Sequence, residues 1–352
     1  MLNRTKLRKV IGSMLLVSIS SLGLYGCGNS TPKREINLIC WSEYLPQEVL
    51  NGFEKETGIK VNVTTYSASD EMLAKVQSSA KGTYDMIIGT SVNTAILSSQ
   101  GLLAELDYSK IPNYSNINPI FTSTLNDPDN KYSIPYLYTT VVIAVNKDLV
   151  QDDIKSYEDL LDSKYEDSMV VIEDSRTVVS IALLAKGYYP NDTSDEALAA
   201  VEEYLNALKP NIHAFNGDSP KTLMLNEECA IGLIYGGECA LAMDENPSIV
   251  GIYPEEGTYF ETDMMMKTKD AKNPDDVETF INYLCDAEVG AEIAKAFPYV
   301  TPNEGAKAYL DEAYLSNNVK NMPEEEIVKG KATTDLGDDL SKIVDLWTKF
   351  KG

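Results

Sequence analysis

Glu35-Ile36-Asn37-Leu38-Ile39-Cys40-Trp41 is followed by Pro46, a helical stretch to Thr57, Gly58, and the alternating run Lys60-Val61-Asn62-Val63-Thr64-Thr65-Tyr66. The first run is mostly apolar, as expected of a strand buried on both faces of a parallel sheet. Pro46 suits the first turn of a helix whose apolar face is Val49, Leu50 and Phe53, and Gly58 suits its C-terminal stop. The alternating β-branched run then predicts a second strand. Strand, helix, strand in this order is the opening unit of an α/β domain.

The alternation continues outward. Ser69-Asp70-Glu71 begins a helix striped by Met72, Leu73 and Val76; Tyr84 to Ile88 predicts a third strand, and Thr94 to Ser99 a third helix. A new unit starts near Thr139, with a strongly apolar strand over Val141 to Val145 and a helix over Tyr157 to Leu161. It continues with a strand at Met169 to Ile172, helices around Val178 to Lys186 and Asp195 to Leu208, and a strand at Ala230 to Tyr235. Helical spacing returns from Asn273-Pro274 and over Ala287 to Ala296. It closes with Leu340, Ile343, Val344 and Trp347 on one stripe of a last helix, which marks Trp347 as core.

Upstream, Arg4, Lys6, Arg8 and Lys9 form a basic region with no acidic residue, and Val10 to Leu24 is apolar but too short to span a bilayer. Together they read as a secretory signal over residues 1–26. Leu24-Tyr25-Gly26-Cys27 follows, a small residue before a cysteine, which resembles the lipobox of bacterial lipoproteins and implies acylation of Cys27. Residues 27–33 read as an anchored tether.

Of 352 residues, 30 are basic and 54 acidic. Removing the signal takes away four basic and no acidic residues, which brings the net charge to about −28. Coulomb repulsion disfavours nucleic acid or an anionic membrane surface as partner, and a cationic ligand is weakly favoured. Cys40, Cys229, Cys239 and Cys285 form no C-x-x-C pair and read as buried small hydrophobes. His213 is the sole histidine, which excludes a His-rich metal site; no nucleophile elbow, phosphate loop or H-E-x-x-H motif is present. No metal, cofactor or catalytic residue is expected.

Cys40-Trp41-Ser42-Glu43-Tyr44-Leu45-Pro46, Phe53-Glu54-Lys55-Glu56-Thr57-Gly58-Ile59-Lys60-Val61, Tyr84-Asp85-Met86-Ile87-Ile88, Tyr132-Ser133-Ile134-Pro135-Tyr136, Ala214-Phe215-Asn216 and Tyr299-Val300-Thr301-Pro302-Asn303 occur in that order. With these segments the chain resembles the spermidine/putrescine-binding proteins of bacterial polyamine ABC importers, over nearly all of its length after the signal. The resemblance implies a two-lobe α/β fold of the periplasmic-binding-protein type (type II), each lobe a mainly parallel sheet flanked by helices, with ligand in the cleft. Residues 34–140 would form lobe 1, completed by about 264–310, and residues 141–263 lobe 2, completed by about 311–352.

A polyamine needs carboxylates to pair its ammonium groups and aromatic faces to cover its methylenes. The resemblance assigns Trp41, at a strand's C-terminal end, as an aromatic wall, with Ser42 and Tyr44 as polar contacts from the same loop and Thr90 as a hydroxyl contact. Asp174 would hold one ammonium, although its position also fits a helix N-cap. Tyr235 stands where the family stacks a Trp. Glu238 matches an acid of the putrescine-preferring branch, Asp263 the central carboxylate, and Tyr299 an aromatic lid. Three residues depart from the pattern: Glu261 stands in place of a second stacking aromatic, Thr177 in place of a Glu, and Val92 in place of a Tyr. Asp174, Glu238, Glu261 and Asp263 together would suit a di- or tri-cation.

The expected function is capture of putrescine or spermidine outside the cytoplasm by a lipid-anchored, monomeric protein, for delivery to an ABC permease with its cytoplasmic ATPase. Two alternatives remain open from sequence. One is a two-lobe receptor for another cationic or amino-acid solute, in which an amino acid would need Arg176 to clamp its carboxylate; the other is a secreted hydrolase that would use Glu238 and Asp263 as acid and base. A sensor that binds without import shares every one of these features.

Overall fold

The computed structural model describes residues 34–42 and 44–352. The signal, Cys27, the tether and Glu43 lie outside the described residues.

Ten strands are described: β1 (Glu35–Trp41), β2 (Lys60–Tyr66), β3 (Met86–Thr90), β4 (Ser133–Asn146), β5 (Met169–Val171), β6 (Ile212–Phe215), β7 (Ile231–Tyr235), β8 (Ile249–Ile252), β9 (Tyr259–Lys267) and β10 (Lys331–Ala332). Between and after them run α1 (Gln47–Thr57), α2 (Ser69–Ser78), α3 (Ser91–Ser99), α4 (Ser175–Ala185), α5 (Asp195–Leu208), α6 (Pro220–Leu225), α7 (Gly236–Glu245), α8 (Pro274–Leu284), α9 (Ala287–Ala296), α10 (Glu312–Ser316), α11 (Glu324–Lys329) and α12 (Leu340–Lys351).

The sheet order is β2-β1-β3-β9-β4-β7-β5-β6, with β10 beside β9 and β8 beside β4. Its two ends are parallel: β1 with β2 and β3, and β5 with β6 and β7. Its middle is antiparallel, where β9 pairs β3 and β4, and β4 pairs β7 and β8. β4 changes partner along its length. Ser133 to Thr140 pair with β9, and Val141 to Val145 pair with β7. The long strands β4 and β9 therefore tie two α/β halves together.

Each half has its own core. Ile36, Leu38 and Cys40 of β1 face one cluster with Phe53, Phe280 and Ile281, while Ile39 faces another with Tyr66, Ile87 and Met264. β1 is thus covered on both faces, which is why its sequence runs apolar rather than alternating. The second half gathers Val141 to Val145, Met169 to Val171, the buried face of α4, and Ile343 and Phe350 of α12. Gly58, at φ 72°, ends α1 and returns its N–H to the Glu54 carbonyl at 2.8 Å. The four cysteines after Cys27 are buried and unpaired.

Asp85 fixes the first half from inside. It is fully buried and accepts from the N–H groups of Asn37 at 2.8 Å and Lys272 at 2.7 Å, joining β1 to the segment before α8. An alternation break between Pro135 and Leu137 puts a bulge at Tyr136. Proline lacks the ladder N–H, so a bulge is where a strand tolerates it. The bulge sets Leu137 opposite Asp263, and the Tyr136 hydroxyl donates to the Tyr44 carbonyl at 2.7 Å.

Three local expectations change. The helix expected over Tyr157 to Leu161 is a single 3-10 turn, Glu158–Leu161. The third helix starts three residues early, at Ser91, because the Thr90 hydroxyl and the Asn93 side chain form a reciprocal cap. The last helix buries Ile343 and Phe350 with Trp347 packed against them, whereas Leu340 and Val344 are exposed at 40% and 45%. Val344 lies about 100° around the helix from Ile343, outside the buried stripe.

Candidate functional site

The strands of the first half end in loops that face the crossing strands. Parallel strands carry their C-terminal ends to one side, where an open α/β sheet places its ligand. Trp41 ends β1 and is paired in register with Tyr66 at the end of β2; their rings lie 4.4 Å apart. Thr90 ends β3 directly opposite Asp263 of β9. Asp174 and Tyr235 follow or end β5 and β7 in the other half, and Glu238 sits in the first turn of α7.

Asp263 is the centre of the arrangement. It is buried, its Oδ1 accepts from Trp41 Nε1 at 3.0 Å, and its Oδ2 accepts from the Tyr44 hydroxyl at 2.5 Å. Burial raises this carboxyl to about 6, and the two donors hold it down from going further. No Lys or Arg lies within ion-pair distance of it among the described residues. The Tyr44 ring in turn lies tilted beside that of Tyr299, with ring centroids 6.0 Å apart.

Tyr299 reaches the second half. A Cβ on Gly237 of α7 would come within 2.7 Å of its ring, so glycine is what lets the ring lie against that helix. Tyr299 therefore touches elements of both halves at once.

Glu261 shares a face with Asp263, two residues along β9. It accepts from the Tyr259 hydroxyl at 3.2 Å and is raised to about 8, first by burial, then by the negative fields of Asp263 and Asp174. Asp174 is the N-cap of α4, accepting the Thr177 N–H at 2.7 Å. The cap is the residue that the resemblance assigns to an ammonium group. The Tyr235 hydroxyl lies 3.4 Å from the Thr177 hydroxyl, so Thr177 packs beside Tyr235.

Other expected residues carry structural duties. Ser42 is exposed, and its hydroxyl donates to the Tyr66 carbonyl at 3.3 Å. Thr90 caps α3, accepting the Asn93 N–H at 3.3 Å. Glu238 has a partner the sequence reading missed: Lys221 Nζ from α6 lies 3.9 Å from Oε1, while Oε2 is buried without a hydrogen bond. Burial still raises this acid.

Tyr66, Tyr259, Gly237 and Lys221 were not singled out from sequence. Tyr259 had a readable signal, the two-residue period that puts it beside Glu261. Tyr66 had one also, as the last residue of a strand parallel to β1. Lys221 had none, because only the packing of α6 on α7 brings it to Glu238. Arg176 is already occupied, with its guanidinium donating to the Pro190 carbonyl at 2.8 Å and to Asn191 Oδ1 at 2.5 Å.

A two-part α/β frame with acids and aromatic rings converging at strand ends is the form of a solute receptor. Residues 48–324 match the family of bacterial extracellular solute-binding proteins, and the chain belongs to it. The spermidine/putrescine-binding periplasmic protein of Escherichia coli K12 is 32% identical over 313 residues, which cover 88% of this chain and 90% of that protein. Its counterpart in Salmonella typhimurium LT2 is 31% identical over 312 residues, at the same coverage. The spermidine/putrescine ABC transporter substrate-binding protein of Streptococcus pneumoniae, crystallised with calcium and HEPES, superposes with a TM-score of 0.83 at 29% identity, covering 90% of this chain and 98% of its own.

The raised acids give a prediction for the unliganded protein. Asp263 and Glu261 bind protons more tightly folded than unfolded, so between about pH 4 and pH 8 the folded state holds more protons and stability falls as pH rises. The contribution of this pair to the melting temperature is expected to fall from about pH 5 to about pH 8. Glu261→Gln should flatten that fall. A variant whose melting temperature drops across this range as steeply as the parent's would contradict the assignment.

Proposed function

We propose that this protein is an extracytoplasmic receptor that captures a linear polyamine, putrescine or spermidine, and delivers it to an ABC import permease. The observation that carries this reading is Asp263: a buried carboxylate gripped by Trp41 and Tyr44, in a cleft of tyrosines, with no Lys or Arg within ion-pair distance among the described residues. A buried charge without a counter-ion is costly, and an ammonium group is what the aromatic walls and the acid both attract. Both bacterial relatives named above bind spermidine and putrescine by name, and the pneumococcal one is a transporter's substrate-binding protein.

In this reading Trp41, Tyr44, Tyr235 and Tyr299 cover methylenes; Asp263 and Asp174 pair ammonium groups, with Glu238 and Glu261 adding negative field. Ser42 and Thr90 serve the loops that carry these residues. Residues 34–140 with about 264–310 move as one lobe, and residues 141–263 with about 311–352 as the other, with Tyr299 closing between them. The protein binds and does not transform its ligand. Asp263 spends both oxygens on fixed donors and Glu238 faces Lys221, a poor arrangement for an acid–base pair. An amino-acid receptor is disfavoured because Arg176 is already committed to Pro190 and Asn191.

Calorimetric titration of the mature protein with putrescine and spermidine tests the reading; heat and saturation are expected, and none with either would overturn it. Asp263→Asn should weaken binding by about 100-fold, from the loss of a buried charge pair. An unchanged affinity would remove Asp263 from the site.

The proposed anchor is Cys27, acylated after removal of residues 1–26, which keeps the receptor near its permease at high effective concentration. Cys27→Ala is expected to abolish incorporation of labelled fatty acid and release the protein from membranes. Retained label would refute lipidation at this residue.

A further inference from the structure

Strand register places Glu261 midway along the cleft floor. On β9, Asp263, Glu261 and Tyr259 share one face, and on β4 so do Leu137, Thr139 and Val141. Thr90, Asp263 and Leu137 form one cross-strand row. Glu261 and Thr139 form the next. Val141 with Tyr235 of β7 forms the one after that. A diagonal therefore runs from the Trp41–Tyr44–Asp263 end, through Glu261, to the Tyr235–Asp174 end.

Charged and titratable groups surround Glu261 on every side. Asp263 and Tyr259 belong to its own strand, Asp174 and Arg176 to the start of α4, Tyr235 to β7 and Tyr66 to β2. Arg176 is the one cation among them in the described residues, its guanidinium donating to Pro190 and Asn191, with no described carboxylate within ion-pair distance. Glu261 accepts one neutral hydrogen bond, from Tyr259. Glu238 differs, since Lys221 stands beside it. Among the described residues, Asp263, Glu261 and Asp174 are three neighbouring acids without an ion-paired protein cation.

We propose that Glu261 seats the internal ammonium of a linear triamine and thereby sets a preference for a triamine over a diamine; this rests on the polyamine-receptor reading above. A diamine reaches two neighbouring acids and leaves the third without a cation. A triamine pairs all three. Two residues of strand span about 6.6 Å, close to the reach of the three- or four-carbon segments that separate nitrogens in such amines. Pairing a charge at Glu261 also favours its ionised form, so triamine binding drives a proton off this residue.

Calorimetry of the mature protein with spermidine and with putrescine, in two buffers of different ionisation enthalpy near about pH 7, tests this. The parent should bind spermidine tighter by at least about tenfold and release more protons with it than with putrescine. Glu261→Gln should lower spermidine affinity at least about tenfold more than putrescine affinity and remove the extra proton release. Equal or tighter putrescine binding by the parent, equal proton release, or a variant that loses both ligands in equal measure would overturn the role of Glu261 and leave the receptor reading standing. Binding of neither amine would overturn both.

Discussion

A buried carboxylate with no protein cation beside it among the described residues organises this cleft. Asp263 sits on the crossing strand β9, held from one side by an indole N–H and from the other by a phenol. Trp41 ends β1 and Tyr44 follows it, so ordering the carboxylate orders the start of that loop. Tyr136 continues the chain of support from the bulge in β4 to the Tyr44 backbone. Neutral donors stabilise a carboxylate without cancelling its charge. The site therefore retains an attraction that a cationic ligand can satisfy.

The sheet supplies the rest of the geometry. β4 passes from one half to the other and exchanges β9 for β7 as it goes. Residues on one face of β4 and β9 consequently stand in a fixed register across both halves. Tyr299 approaches from outside the sheet, packing near Tyr44 and against the glycine-lined start of α7. A closing motion between halves would make or break these contacts together, which couples ligand capture to a change of shape.

Much of this was legible in the chain itself. The apolar run of β1, the alternation of β2 and the stop at Gly58 predicted the opening unit, because each depends on local periodicity or backbone freedom. The family resemblance pointed to Trp41 and Asp263, and the structure joins them by a hydrogen bond of 3.0 Å. What escaped was set by packing between distant elements. Lys221 meets Glu238 only because α6 lies on α7, and the Tyr157 segment lost its helix to a single turn. Asp174 carried two competing readings, and the structure shows the N-cap.

The central claim is that the cleft is built for a linear polycation. Native mass spectrometry of protein purified gently from its own cells tests it most directly, by the mass difference between native and denatured species. The account predicts a bound linear polyamine, displaced by added spermidine. A neutral sugar, an amino acid or an anion trapped there, and undisturbed by spermidine, would contradict it.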